Sequence, residues 1–385
     1  MNALAAQRDC FSLPDGVHYF NCAYLSPLSK AVEEAGVRAM RRRRAPIDFP
    51  ADAFYRDSDR VRERFARLLG SRDPSRVAIL PSVSYGVAIA ARNLSAGPGR
   101  AIVVLGEQFP SNLYAWRKLA ARTGATLRSV ARPATGPPSG RAWNARILEA
   151  IDRDTAIVAL PHVHWTDGTR FDLEAVGARA RECGAALVVD GSQSVGALPF
   201  DVETVRPDAL ICAGYKWLLG PYSVALGWLG PRFDEGEPLE ETWIARRGSE
   251  DFRRLIDYVD EYAPGAVRYD VGERSNFLLL PMMIAALDQL LEWRPARIQA
   301  YCRSLLAPLA DGLRERGLEV EPEEGRAAHI LGVRLPQTAA PAEVATRLER
   351  ARVYASLRGD ALRVSPNVYN LAEDVEALDE ALRSL

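Results

Sequence analysis

Six short apolar runs, separated by segments of helical character, constrain this chain most. They are Arg76–Leu80 (RVAIL), Ala101–Leu105 (AIVVL), Thr155–Leu160 (TAIVAL), Ala185–Val189 (AALVV), Ala209–Ala213 (ALICA) and Val224–Leu229 (VALGWL). Five or six consecutive apolar residues leave no polar face, so each run reads as a strand covered on both sides. Between them, Tyr85–Leu94, about 111–122 and Leu173–Cys183 read as helices, and Gly184 stands where a helix commonly ends. Strands alternating with helices predict an α/β unit around a mostly parallel sheet.

After Pro231 the pattern changes. An acidic, turn-rich connector, 233–242, leads to an apolar helix over Met282–Trp293. Then come a helix over 298–316, a strand over 328–334, a helix over 342–351, a strand over 361–364 and a helix over 371–382. These form a smaller α+β unit. The length of 385 residues allows two or three domains, and two are expected. Residues 18–255 form the large domain, and 1–17 with 256–385 the small one. The stretch 132–141 (RPATGPPSGR) reads as a surface loop.

The remaining composition excludes several classes. Lys plus Arg number 49 against 50 Asp plus Glu, so bulk attraction to nucleic acid is not expected. The run Arg41–Arg44 reads as a solvated helix end. No stretch approaches the ~18 apolar residues of a membrane span, and residues 1–16 contain no apolar signal core. Five dispersed cysteines and four histidines form no metal-ligand pattern; a reducing cytoplasm is expected and no metal site.

In an open α/β sheet, ligands bind beyond the carboxyl ends of the strands. The residues there include Ser82-Val83-Ser84 at a helix start, Phe109, Thr166, Asp190, Gln193, Tyr215 and Lys216. Such a set suits pyridoxal phosphate, which needs a Schiff-base lysine and an acid that keeps its pyridine nitrogen protonated. Lys216 and Asp190 fill those two roles. Gln193 donates to the ring's 3-oxygen, and Phe109 lies on the ring face. Ser82, the Val83 amide, Ser84 and Tyr215 hold the phosphate, since a helix N-terminus is an anion site.

Two segments, VVDGSQSVGALPFDV and ICAGYKWLLGP, resemble the lysine region of the class V aminotransferase group of fold type I enzymes. That group includes cysteine desulfurases, kynureninases and isopenicillin N epimerase-like proteins. The resemblance covers nearly the whole chain. It implies a fold type I pyridoxal-phosphate transferase: a large domain with a mostly parallel seven-stranded sheet and a smaller C-terminal α+β domain. HYFNCAYLSPL resembles the substrate-site strand and brings in Tyr24; ALRVSPNVYNLAEDV resembles the carboxylate-binding segment and assigns Arg363. YDVGERSNF resembles the segment that reaches a neighbouring subunit's phosphate, which assigns Ser275 and Asn276 and implies a homodimer. Thr166 joins the cofactor ligands and His164 the substrate side.

The pattern also departs from its relatives. Desulfurases carry a nucleophilic cysteine shortly before the carboxylate arginine, whereas residues 353–359 contain none. Kynureninases carry histidine where Gln193 stands. The implied function is a pyridoxal-phosphate enzyme acting on an amino acid through an external aldimine, foremost an aminotransferase. A C–S or C–C lyase or an epimerase of the same group is the alternative. Outside enzymes, the alternative is an inactive scaffold, against which the intact lysine, aspartate and arginine argue.

Overall fold

The computed structural model describes residues 3–133 and 140–383. In chain order the strands are β1 (His18–Tyr19), β2 (Val77–Leu80), β3 (Ala101–Leu105), β4 (Thr126–Val130), β5 (Thr155–Pro161), β6 (Ala186–Asp190), β7 (Ala209–Ala213), β8 (Ala225–Leu229), β9 (Glu319–Val320), β10 (Leu331–Arg334), β11 (Val353–Tyr354), β12 (Ser356–Arg358) and β13 (Ala361–Val364). The α-helices are α1 (Lys30–Arg42), α2 (Ala53–Leu68), α3 (Val83–Asn93), α4 (Tyr114–Thr123), α5 (Gly140–Ala150), α6 (Leu173–Glu182), α7 (Val202–Val205), α8 (Leu279–Trp293), α9 (Pro295–Glu315), α10 (Pro341–Arg350) and α11 (Ala372–Leu382).

Seven strands form the main sheet in the order β2-β8-β7-β6-β5-β3-β4. The apolar runs have no polar face because alternate residues enter two different cores. Val103, Val158, Val189 and Leu210 lie in one. Ile102, Ile157, Val188 and Ile211 lie in the other, with α3 and α4. Only β8 runs against its neighbours, β7 and β2. Ala213 and Ala225 bound a connection without a helix, too short for the crossover that parallel neighbours need, so the chain turns back. That reversal places residues 214–224 over the carboxyl ends of β6 and β7.

A second sheet, β12-β13-β10-β9, packs with α9, α10 and α11 around Leu331, Leu362 and Leu378. Contacts cross the expected boundaries of the two domains. His18 and Tyr19 pair with Val353 and Tyr354, Phe20 lies in the small core, and α8 packs on α1 and α2.

Strand β4 and helices α2 and α5 are among the elements that lacked a clear signal. Strand β4 (TLRSV) is a partly exposed edge, so it carries polar residues. Helix α2 has a charged sequence around a narrow apolar stripe that includes Val61 and Phe65. The expected loop at 132–141 is corrected at its end: Gly140 and Arg141 already belong to α5, where a Gly140 Cβ would stand 2.7 Å from the Gly325 carbonyl oxygen. The rest of that loop call, 134–139, lies outside the described residues. Arg41–Arg44 is an exposed helix end, and Arg42 stacks over Phe49. Among the described residues no helix is long and apolar enough to cross a membrane.

Candidate active site

The carboxyl ends of β2, β5, β6 and β7 open into a cavity of about 250 Å³. Its wall contains eight of the expected residues: Ser82, Val83, Ser84, Phe109, Asp190, Gln193, Tyr215 and Lys216. Each is held by local chemistry.

Ser82 is the N-cap of α3; its hydroxyl accepts from the Tyr85 amide at 3.2 Å. The first turn of α3 therefore presents amides and two serine hydroxyls to the cavity. Gly86 lets the helix sit close to the sheet, since a Cβ there would lie 2.8 Å from Ile211. Phe109 is set by a turn after β3, where Gln108 Oε1 accepts from the Leu105 amide at 3.0 Å and its Nε2 donates to the Asn112 carbonyl at 2.6 Å.

Lys216 lies on the reversing loop. Gly220 N donates to Gly214 O at 2.8 Å, and Gly214 N to Val224 O at 2.9 Å. Leu219 (φ 55°) and Ser223 (φ 64°) take left-handed conformations to close it, a cost the surrounding packing sustains. Lys216 Nζ stands 5.3 Å from the Phe109 ring centre and 5.6 Å from that of Tyr215. The chain has three lysines; Lys30 and Lys118 are exposed and Lys216 is buried. Burial pushes the Lys216 amine down to about 8, against the attraction of Asp190 and with help from Arg363 and Arg358.

Asp190 ends β6, and its Oδ1 accepts from the Ser192 amide at 2.9 Å. Gln193 is fixed at both ends of its amide: Oε1 accepts from Trp217 Nε1 at 2.8 Å and Nε2 donates to Ala23 O at 3.0 Å. An amide nitrogen carries two hydrogens, so one remains for a ligand in the cavity.

A group missed in the sequence supports this corner. His329, fully buried, bonds through Nε2 to the Gln193 carbonyl at 2.7 Å and through Nδ1 to Gln299 Nε2 at 2.6 Å. Gln299 Nε2 can only donate, so His329 carries its proton on Nε2. Burial pushes the ring down to about 4 and keeps it neutral. Its ring meets the Trp217 edge at 4.3 Å. No local motif marks His329; only the packing of α9 against the β6 loop reveals it.

The other expected residues lie outside the cavity wall. Arg363 is buried just behind it, with Nη1 donating to the carbonyl of Trp165, a wall residue, at 2.8 Å. Its Nε is buried without a partner. Tyr24 is exposed on a loop whose Ser26 amide bonds the Tyr215 carbonyl at 3.0 Å. His164 and Thr166 face each other instead, Nδ1 to Oγ1 at 2.8 Å. His164 is fully buried there beside Trp143 and Asp167. Arg132, 2.6 Å from Asp167, completes that cluster; against burial, contact with His164, the Arg132 guanidinium and the Thr169 amide hold the Asp167 carboxyl well below its usual range. His162 packs edge-on against Phe200, and burial pushes it down to about 3. Ser275 bonds the Phe54 carbonyl, and Asn276 Oδ1 accepts from the amides of Leu278 and Leu279 at the head of α8.

Residues 50–378 match the family model described as Aminotransferase class-V. The chain belongs to that family.

Among relatives, it is 27% identical to an uncharacterized aminotransferase of Bacillus subtilis over 83% of this chain and 82% of that one. It is 34% identical to kynureninase of Pseudomonas fluorescens over 60% of this chain and 56% of that enzyme. Isopenicillin N epimerase of Amycolatopsis lactamdurans is 27% identical over 100% and 98% of the two chains. In three dimensions the fold matches a cysteine desulfurase from Thermococcus onnurineus with a TM-score of 0.85, at 20% identity, over 100% of this chain and 99% of that chain. The expected fold type I architecture, enzyme class and pyridoxal phosphate therefore stand. The cavity suits that cofactor: a buried amine, an adjacent carboxylate, a ring face and a helix N-terminus surround one space.

Proposed function

We propose that this class V enzyme is an aminotransferase for an amino-acid substrate, acting as a homodimer in the cytoplasm. The observation that carries the reading is Lys216: the chain's one buried lysine, lodged between Phe109 and the Asp190 side of the cavity.

Bound pyridoxal phosphate supplies an electron sink for charge developing at the substrate Cα. Asp190 holds the proton on the pyridine nitrogen. The amides and hydroxyls at the head of α3 bind the phosphate, Gln193 Nε2 donates to the ring oxygen, and Phe109 packs on the ring. Lys216 anchors the cofactor and then moves the Cα proton. Its lowered pKa raises the neutral fraction of the amine near physiological pH several hundredfold over an ordinary lysine, and a base requires the neutral form. Arg363 orients the substrate through its α-carboxylate and so selects the bond to be broken.

Thiol chemistry has no support at this site. Cys22, beside the Lys216 loop, is fully buried; burial pushes its thiol up to about 12, and a thiol rather than a thiolate is a poor nucleophile. The homodimer rests on the family resemblance. The cytoplasm is favoured by five unpaired thiols.

The test is a half-reaction. Holoenzyme mixed with a panel of amino acids loses its yellow absorbance and releases a 2-oxo acid in stoichiometric amount. Release of ammonia with pyruvate, or of sulfide or alanine, in place of the 2-oxo acid of the added substrate points to a lyase and overturns transamination.

A further inference from the structure

Strand register reveals a second cation beside Arg363. Ser356 of β12 pairs with Arg363 of β13, and Leu357 with Leu362. Side chains alternate along a strand, so Leu357 and Leu362 face the small core, while Ser356, Arg358 and Arg363 share the opposite face. On that face Arg358 is the diagonal neighbour of Arg363.

Both guanidiniums converge on one wall residue. Arg363 Nη1 donates to the Trp165 carbonyl at 2.8 Å, and the Arg358 guanidinium carbon stands 6.0 Å from the centre of the Trp165 ring. The Trp165 ring meets Phe109 at 5.5 Å, and Phe109 meets Lys216. The two cations thus sit at the substrate end of the cavity.

Neither has a carboxylate partner among the described residues. Arg358 Nη1 bonds only the neighbouring Leu357 carbonyl, at 2.8 Å, and Arg363 is buried with an unpartnered Nε. Two neighbouring cations repel, and a buried one without a counter-ion is costly, so the arrangement awaits anions. Glu107, whose carbonyl accepts from Trp165 Nε1 at 2.7 Å, turns its carboxylate to Arg132 at 3.5 Å, and Asp167 is likewise paired with Arg132.

We propose that Arg358 binds a second carboxylate, and that the substrate class is a dicarboxylic amino acid with one carboxylate on Arg363 and the distal one on Arg358. This rests on the aminotransferase reading for the identity of the amine. The carboxylate pair itself is tested without turnover.

The experiment is calorimetric titration of holoenzyme with glutarate, succinate and butyrate, repeated with Arg358→Gln and Arg358→Lys. One added charge-assisted contact strengthens binding by about tenfold or more. Glutarate or succinate is therefore expected to bind about tenfold more tightly than butyrate. Arg358→Gln removes that advantage while changing butyrate affinity less than twofold, and Arg358→Lys restores part of it. Equal affinity for mono- and dicarboxylates in the unaltered enzyme overturns the proposal, as does an equal loss for all three ligands in Arg358→Gln. Because none of the probes carries an amine, a dicarboxylate preference stands even if the half-reaction shows lyase chemistry. A failed preference beside successful transamination removes Arg358 alone.

Discussion

Acid should weaken this protein through His329, by an amount the structure specifies. In the unfolded chain the ring takes a proton near pH 6.5; folded, it resists until about 4. Above pH 6.5 the ring is neutral in both states and contributes nothing. As pH falls through that value the unfolded state binds a proton that the folded state refuses, so stability drops by ~1.4 kcal/mol per pH unit. The share of His329 levels off near pH 4 at about 3 kcal/mol; His162, held down to about 3, adds a parallel loss that continues lower and is common to the protein and its His329 variant. Asp167 acts elsewhere: its carboxyl is held below the ordinary 3.8, so its effect appears only at lower pH. His329→Gln removes the titrating ring. At pH 7.5 the variant is less stable by about 1–3 kcal/mol, because the narrower side chain cannot hold both the Gln193 carbonyl and Gln299 while filling the ring's place against Trp217. Below pH 6.5 its stability falls less steeply than that of the unaltered protein. Urea unfolding followed by tryptophan fluorescence at half-unit steps from pH 7.5 to 4.5 measures both slopes. Parallel curves refute a neutral, buried His329.

Other expectations concern the site. Lys216→Ala abolishes stable yellow colour on cofactor addition and lowers any half-reaction rate by about a thousandfold or more, followed by absorbance at saturating substrate. Asp190→Asn preserves the bond from the Ser192 amide and so keeps the fold, yet slows the half-reaction by at least about a hundredfold in stopped-flow traces, because the ring loses its proton. Cofactor capture by apoenzyme accelerates as pH rises toward about 8, where Lys216 becomes neutral. Arg363→Gln removes a cation that helps depress that amine, so the midpoint of the capture profile moves upward. Ser82→Ala costs about 1 kcal/mol of stability through the lost N-cap of α3, and equilibrium dialysis shows weaker cofactor retention.

Much of this architecture was legible because burial leaves a plain mark on sequence. Strands such as Ala101–Leu105 and Ala209–Ala213 serve two cores at once and so carry no polar residue. Lys216, Asp190 and the Ser82–Ser84 turn were legible because each directly follows a strand whose end faces the ligand. What stayed hidden depends on contacts between distant segments. His329 meets Gln193 across 136 positions, and Arg358 shares a face with Arg363 through antiparallel register that apolar periodicity does not encode. His164 and Thr166 looked available because they follow β5. The turn beyond it folds them onto each other, with Gly168 at φ 81° against Ile330, where a Cβ would lie 2.4 Å from the carbonyl oxygen. The polar edge strand β4 was invisible for the converse reason, since it has only one covered side.

The central claim is that Lys216 carries the cofactor, and three lysines make it directly measurable. Holoenzyme is treated with sodium borohydride, which fixes the cofactor to the amine that bears it, then digested and mapped by mass spectrometry. The pyridoxyl phosphate mass is expected on the peptide containing Lys216, with Lys30 and Lys118 unmodified. Label on either exposed lysine, or a holoenzyme that retains no label after reduction, contradicts it.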